Sequence, residues 1–170
     1  MPVLMLPAWP PTAATKTASV GFNATLVAAC AAGTTSNGVV SFGTLNFGTI
    51  SSLAVPVDAV TSQGSGSIVL RCTPGASVTL ALGNGNNASG SVSAGRWMIN
   101  AATGETLAYQ LYQNAARTTV WGNGSNGGTT LVLSANGAVQ EYKIYARVLT
   151  AATMPSTGNY SDSVLVTVTY

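Results

Sequence analysis

The chain has 170 residues, enough for one domain with a sizeable core, and only 6% of them are charged. Ordinary soluble domains carry roughly 25% charged residues. There is no histidine and there are only four acidic residues, so histidine-based catalysis is excluded. We expect no metal site, no cofactor and no enzymatic activity. A net charge of +2 from scattered bases is too small to neutralise a phosphate backbone, so no nucleic-acid partner is expected.

The beginning of the chain reads as a targeting segment. Residues 1–14 combine an apolar run with small residues that suit cleavage near Ala14, although a positive n-region is missing. We therefore expect these residues to be the remnant of a signal peptide. Export favours a disulfide between Cys30 and Cys72, whereas in a cytosolic chain the same residues would remain buried thiols. No run reaches the ~18 apolar residues of a membrane span, so none is expected.

Period-two alternation of apolar and polar residues predicts a series of β-strands. In the first of them, one face carries Val20, Phe22, Ala24 and Leu26. Further strands are predicted, in chain order, over residues 67–72, 77–82, 106–112, 139–149 and 163–170. Short strands at this spacing indicate an all-β fold, and specifically an immunoglobulin-like β-sandwich.

Two segments rich in glycine and asparagine interrupt the predicted strands. Residues 83–90 read GNGNNASG and residues 122–128 read GNGSNGG. Such sequences favour turns and disfavour regular structure, so both are predicted to be exposed loops.

The last predicted strand has an edge without protection. Residues 163–170 contain neither a charge nor a proline, the two devices that usually prevent a strand edge from pairing with another chain. Two interpretations stay open. Either this strand is central in its sheet and paired on both sides, or its neighbour is missing from this polypeptide. The first strand has the same ambiguity, since the segment from Val20 to Leu26 also reads as an ordinary strand of a self-sufficient sandwich.

Four segments together make the chain resemble a known family. They read VGFNATLVAAC at 20–30, FGTLNFG at 42–48, YQLYQNAARTTVWG at 109–122 and GNYSDSVLVTVTY at 158–170. The segment at 109–122 is the most specific of the four. In this order they resemble the spore coat protein U domain, which is shared by subunits of archaic (Csu-type) chaperone–usher pili.

The resemblance implies an incomplete immunoglobulin-like fold that lacks its last strand. Such subunits are completed by donor-strand complementation, first from a periplasmic chaperone and then, at an outer-membrane usher, from the N-terminal segment of the next subunit. Carried over, residues 15–26 are the donor strand and residues 27–170 are the domain. The donor side chains are Val20, Phe22, Ala24 and Leu26, and the acceptor groove includes Val164, Val166 and Val168. The family's disulfide corresponds to Cys30–Cys72.

The resemblance also implies a function and a location. The chain is expected to be a non-enzymatic pilus subunit that is exported through the periplasm, polymerises with identical or related subunits at the cell surface, and serves adhesion and biofilm formation. One alternative is a self-contained secreted coat or matrix protein of spores or cells. A further alternative is a carbohydrate-binding tip module that uses Trp97, Trp121 or loop tyrosines. Arg117 and Trp121 also suggest a ligand platform, although a tryptophan before a glycine-rich loop is more often a packed core residue.

Overall fold

A computed structural model describes residues 16–36, 39–88 and 90–170, in which every regular element is a β-strand. Residues 1–14, expected to be a signal-peptide remnant, lie outside the described residues. The described part of the chain includes no helical segment with the length and hydropathy of a membrane span. In chain order the strands are β1 (Cys30–Ala32), β2 (Thr34–Ser36), β3 (Val39–Ser41), β4 (Val57–Val60), β5 (Ile68–Cys72), β6 (Ser77–Leu82), β7 (Arg96–Ile99), β8 (Thr106–Tyr112), β9 (Leu131–Ser134), β10 (Gln140–Tyr142), β11 (Tyr145–Val148) and β12 (Val166–Thr169).

The strands of the described residues pair antiparallel in four sheets. Their orders are β4-β11-β8-β7, β12-β6-β9, β1-β5-β10 and β2-β3. Every second residue of β5 and β6 is buried, as the alternation predicts. One shared core lies between the three larger sheets, because the inward side chains of β5, β6, β8 and β11 belong to a single hydrophobic cluster.

Several predicted strands are confirmed, and one prediction needs a correction. The strands expected at 67–72, 77–82 and 106–112 occur as β5, β6 and β8. The single strand expected over 139–149 is wrong, because β10 and β11 belong to different sheets. Between them, the Ile144 backbone N–H donates to Thr61 Oγ1 at 2.7 Å and its carbonyl accepts the Thr61 N–H at 3.0 Å. Alternating burial continues through Ile144, so the break leaves no signal in the hydrophobic pattern.

Residues 20–26 do not form the first strand of this chain's own sandwich. Throughout residues 16–29 no strand occurs, and the side chains of this segment lie in solvent. The interpretation as an ordinary first strand is therefore wrong. The last strand is also shorter than predicted, since β12 begins only at Val166.

The loop over residues 122–128 is partly buried, which corrects the prediction of an exposed loop. Gly122, Asn126 and Gly128 are buried, and Asn126 Nδ2 donates to the Leu82 carbonyl at 3.2 Å. A Cβ at Gly122 would lie 2.6 Å from the Gly128 Cα, so two stretches of backbone touch where only glycine fits. Composition alone cannot distinguish this packed loop from a solvated one.

The predicted disulfide is confirmed. Cys30 of β1 and Cys72 of β5 face each other in register and form a disulfide, and Cys72 is buried in the core. The bond holds the first strand of the domain against a strand that is paired on both sides.

Reduction of this disulfide is expected to lower the free energy of unfolding by about 4 kcal/mol, because the bond closes a long loop in the unfolded chain. The two cysteines are 42 residues apart. Urea unfolding with and without reductant measures the loss, and the double variant Cys30→Ser, Cys72→Ser is expected to match the reduced protein. An unchanged unfolding midpoint in reductant would contradict the expectation.

Candidate functional site

The outer edge of β12 is the first feature of the candidate site. Residues 166–169 of β12 pair with residues 82–79 of β6, and in the described part of the chain no strand pairs with the opposite edge of β12. That edge therefore presents backbone N–H and C=O groups to any strand that arrives from outside. Of the two interpretations that the sequence left open, a central strand paired on both sides is therefore wrong among the described strands, and β12 is an edge strand.

An apolar groove runs along this edge. It has a volume of about 880 Å³ and lies between the last strand and residues 42–47. Val164, Val166 and Val168, the predicted acceptor residues, are half-buried and line it. Side chains of the core form its floor, namely those of Leu82, Met98, Tyr109, Leu111 and Ile144. The groove is thus an opening in the core of the domain, of the kind that an additional strand would close.

Residues 42–47 form the wall of the groove opposite β12, and we call them the front wall. The Phe42 carbonyl accepts the Gly66 N–H at 2.9 Å, and the Phe47 ring packs edge-on against Tyr109 with centroids 6.5 Å apart. A Cβ at Gly43, where φ is +91°, would lie 2.3 Å from the Gly64 carbonyl oxygen. The paired Phe-Gly motif therefore supplies rings that pack on the core and a glycine that lets the wall approach its neighbour.

Asp162 fixes the end of the groove where the chain enters the last strand. Tyr109 Oη donates to Asp162 Oδ2 at 2.6 Å, while Oδ1 accepts the Asn86 N–H at 2.8 Å and Asn87 Nδ2 at 3.2 Å. Burial of the phenol, together with this hydrogen bond, raises the pKa of Tyr109 well above its usual value. The neutral phenol is thus held as a donor to the carboxylate.

The raised pKa of Tyr109 predicts a loss of stability at alkaline pH. Above pH ~10 the phenol loses its proton in the unfolded chain but keeps it in the folded protein. The contribution of this group to the free energy of unfolding is therefore fully present below that pH and falls by about 1.4 kcal/mol per pH unit above it. Urea unfolding across pH 9 to 11 is expected to show a shallower decline in Tyr109→Phe. The control Tyr170→Phe removes an exposed phenol and should leave the decline unchanged. Equal declines in all three proteins would contradict the assignment.

A buried arginine ties the groove to the rest of the domain. Arg96 is fully buried and donates to the Gly83 carbonyl at 2.9 Å, to the Trp121 carbonyl at 2.7 Å and to Gln110 Oε1 at 2.7 Å. Gly83 in turn donates its N–H to the Leu165 carbonyl at 2.9 Å, immediately before β12. Desolvation lowers the pKa of Arg96. In the sequence Arg96 is one of the scattered bases, and nothing in its neighbours marks it as buried.

The residues considered for a carbohydrate site do not form one surface. Trp121 is fully buried and donates its indole N–H to the Leu80 carbonyl at 3.2 Å, so it is a packed core residue. Arg117 Nε lies 3.2 Å from Asp58 Oδ1, and the same oxygen lies 2.7 Å from Arg147 Nε. The hydrogen bond from Arg147 holds the pKa of Asp58 below its usual range. Of the two tryptophans, Trp97 alone is exposed.

The predicted donor side chains lie outside the groove. Phe22 is 90% exposed and Leu26 94% exposed, and Val20 and Ala24 are exposed as well. The structure therefore brings the three acceptor valines together but does not bring the donor residues of the same chain to them. The described residues contain no group of three or more His, Cys, Asp or Glu side chains that could hold a metal.

The described strands form an all-β domain with an apolar groove along the unpaired edge of β12. The chain matches the Spore Coat Protein U domain over residues 15–167, and it belongs to that family. It is 36% identical to Protein U of Myxococcus xanthus over 164 residues, which cover 95% of this chain and 88% of that protein.

One solved structure confirms the predicted fold class. The chain is similar, with a TM-score of 0.53 and 18% identity, to a chain of the CsuC–CsuE chaperone–tip adhesion subunit pre-assembly complex from archaic chaperone–usher Csu pili of Acinetobacter baumannii. The similarity covers 86% of this chain but only 41% of the solved chain. At this identity it shows the fold, which is all-β and immunoglobulin-like.

Proposed function

We propose that this protein is a structural pilus subunit of a chaperone–usher pathway, which polymerises by donor-strand exchange and serves surface adhesion and biofilm formation. One observation carries the proposal. The molecule has an apolar groove along an edge strand, and it also carries an exposed segment with apolar side chains at alternate positions. Each feature exposes apolar surface or unpaired backbone groups to water, which is unfavourable, and binding of such a segment in such a groove would bury both.

The donor segment fits the groove in spacing and in chemistry. Its apolar side chains recur every second residue, which in an extended strand places them about 6.6 Å apart, and the valines of β12 have the same period. Burying Val20, Phe22 and Leu26 contributes roughly 1.5–3 kcal/mol for each side chain. Main-chain hydrogen bonds to β12 add to this gain and hold the segment in register. Ala24 is the smallest of the four donor side chains and requires the shallowest part of the groove.

The occupant of the groove is a second copy of this chain. Residues 16–26 contribute nothing to the lining of their own groove. They precede Ala29, where the chain enters the domain and which is joined to Thr73 by three hydrogen bonds. Repetition of the same contact from copy to copy is a head-to-tail interface, and such an interface generates an open fibre.

The open groove also sets the requirements for assembly. An exposed core opening invites aggregation, so a periplasmic chaperone covers it until an outer-membrane usher replaces the chaperone with the next donor strand. Export to this compartment agrees with the Cys30–Cys72 disulfide. Residues 1–14 then serve as the signal segment, residues 15–26 as the donor strand, and residues 27–170 as the domain displayed at the cell surface.

A second candidate function is a self-contained coat or matrix protein. The identity to Protein U over most of its length favours this candidate, and so does the name of the family. The open groove counts against it, because a protein that folds and functions alone gains nothing from an uncovered core.

Peptide binding to the groove tests the proposal. The domain without residues 15–26 is expected to keep the contacts of the described strands, because residues 16–26 are exposed and belong neither to a strand nor to the core cluster. We expect it to bind a synthetic peptide of residues 16–26 with one-to-one stoichiometry, and the bound peptide should slow hydrogen exchange of the β12 amides. A peptide with Phe22→Asp and Leu26→Asp is the control and should not bind. Absence of binding by the native peptide would favour the coat protein.

A further inference from the structure

The junction between the donor segment and the domain lies at the disulfide. The chain enters the domain at Ala29, whose carbonyl accepts the Thr73 N–H at 2.9 Å, and the next residue is Cys30. In a fibre of the proposed kind, the donor segment is held in the neighbouring copy. A pulling force on the donor segment therefore acts on this domain through the backbone at Ala29. Cys30 is the first residue of the strands to which the force is transmitted.

The front wall of the groove lies inside the loop that this disulfide closes. Residues 42–47 fall between Cys30 and Cys72, as do Ala32 and Val40, which also line the groove. Without the disulfide, tension along the backbone would pass from Cys30 through β1, β2 and β3 directly to the front wall. The domain would then be pulled open at the place where it holds the next donor strand.

The attachments of this loop are weak against such a force. β1 pairs with β5 over only three residues, and β2 and β3 pair only with each other among the described strands. Short pairings of this kind separate one hydrogen bond at a time when one end is pulled. The front wall would follow, since it packs on the core through Phe42, Leu45 and Phe47, while its backbone bonds to Gly66, which lies in the same disulfide-closed loop.

Cys72, in contrast, lies in a strand that is firmly held in the core. It belongs to β5, whose residues Ile68 and Leu70 are fully buried and which is paired on both sides, with β1 and β10. We infer that the Cys30–Cys72 disulfide carries pulling force from the donor segment directly into β5, so that the front wall of the groove stays unloaded and keeps hold of the next subunit. This inference rests on the proposed function.

The disulfide keeps a defined length of chain from extending under load. The disulfide withholds 42 residues from extension. At roughly 3.4 Å per extended residue, its reduction releases up to about 140 Å of chain under load.

Single-molecule pulling tests the inference. The domain without residues 15–26 is bound to the peptide of residues 16–26, and a constant load is applied between the peptide and the N-terminal end of the domain. Reductant is added after the complex has formed, so the fold is intact at the start. We expect the oxidised complex to dissociate in one step. The reduced complex should first lengthen by up to about 140 Å, and its lifetime should fall by about tenfold or more at the same load.

Moving the attachment point provides the control. When the load is applied at Tyr170 in place of the N-terminal end, force no longer passes through Cys30, and the lifetime should be the same before and after reduction. An equal shortening at both attachment points would show general destabilisation and would overturn the inference, as would an unchanged lifetime at the N-terminal attachment.

Binding without load separates this inference from the proposed function. Failure of the oxidised domain to bind the peptide overturns both. Normal binding together with a lifetime that is insensitive to the disulfide overturns only the transfer of force and leaves donor-strand exchange standing.

Discussion

The double variant Phe22→Asp, Leu26→Asp is expected to abolish polymerisation and to leave the fold of the subunit unchanged. Both side chains are exposed and pack against nothing in the domain, so their replacement removes no folded contact. In the assembled fibre each would place a carboxylate in an apolar groove, which costs several kcal/mol per ion. An SDS gel of unboiled protein measures the effect, because donor-strand polymers form a ladder that collapses to monomer on heating.

A matched control occupies the opposite face of the same segment. Asn23→Asp, Thr25→Asp introduces the same charges two residues apart, and we expect it to polymerise, since these side chains point away from the groove. Deletion of residues 15–26 should reproduce the loss seen with the first variant. Ladders of normal length from the deletion, or equal losses from both charged variants, would contradict the assignment of the donor segment.

Replacement of Arg96 by Met is expected to destabilise the domain strongly. Met is close to Arg in length but donates no hydrogen bond, so the half-buried carbonyl of Gly83 and the buried carbonyl of Trp121 lose their guanidinium partner. An acceptor left without a partner costs roughly 1–3 kcal/mol, with the half-buried one at the lower end. Thermal and urea unfolding of the purified domain measure the loss.

The same substitution also weakens the groove. Gly83 is bonded to Leu165, so loss of Arg96 loosens the start of β12, and we expect weaker binding of the donor peptide. Arg71→Met is the control, because the Arg71 side chain is exposed and its Nε donates to the Gly137 carbonyl at 2.8 Å on the surface. Similar stability losses in the two variants would contradict the structural role of Arg96.

The strands that alternate in sequence and pack one face on the core were predictable. β5 and β6 bury every second residue, so period two alone identifies them, and β8 shows the same alternation in Leu107, Tyr109 and Leu111 but also buries Gln110. The unprotected edge of β12 was visible as a strand without charge or proline. The disulfide followed from two cysteines and an export signal, and from the family resemblance.

The rest depended on contacts that the sequence does not encode locally. The break at Ile144 was hidden because the chain changes sheets without losing its alternation. Asn126 was placed on an exposed loop because its burial depends on Leu82, which is far away in the chain. The front wall of the groove was not predicted at all, since its irregular backbone is fixed by packing of Phe42 and Phe47 on the core.

The position of Phe22 in the assembled protein tests donor-strand exchange most directly. A photoreactive phenylalanine analogue at this position keeps the aromatic ring and, on illumination, bonds to whatever surrounds it. In fibres of the native chain we expect cross-links between copies, from residue 22 to the last strand or to residues 42–47, and none from a probe at Thr25. Cross-links confined to a single chain, or to surfaces outside the groove, would contradict donor-strand exchange as the basis of assembly.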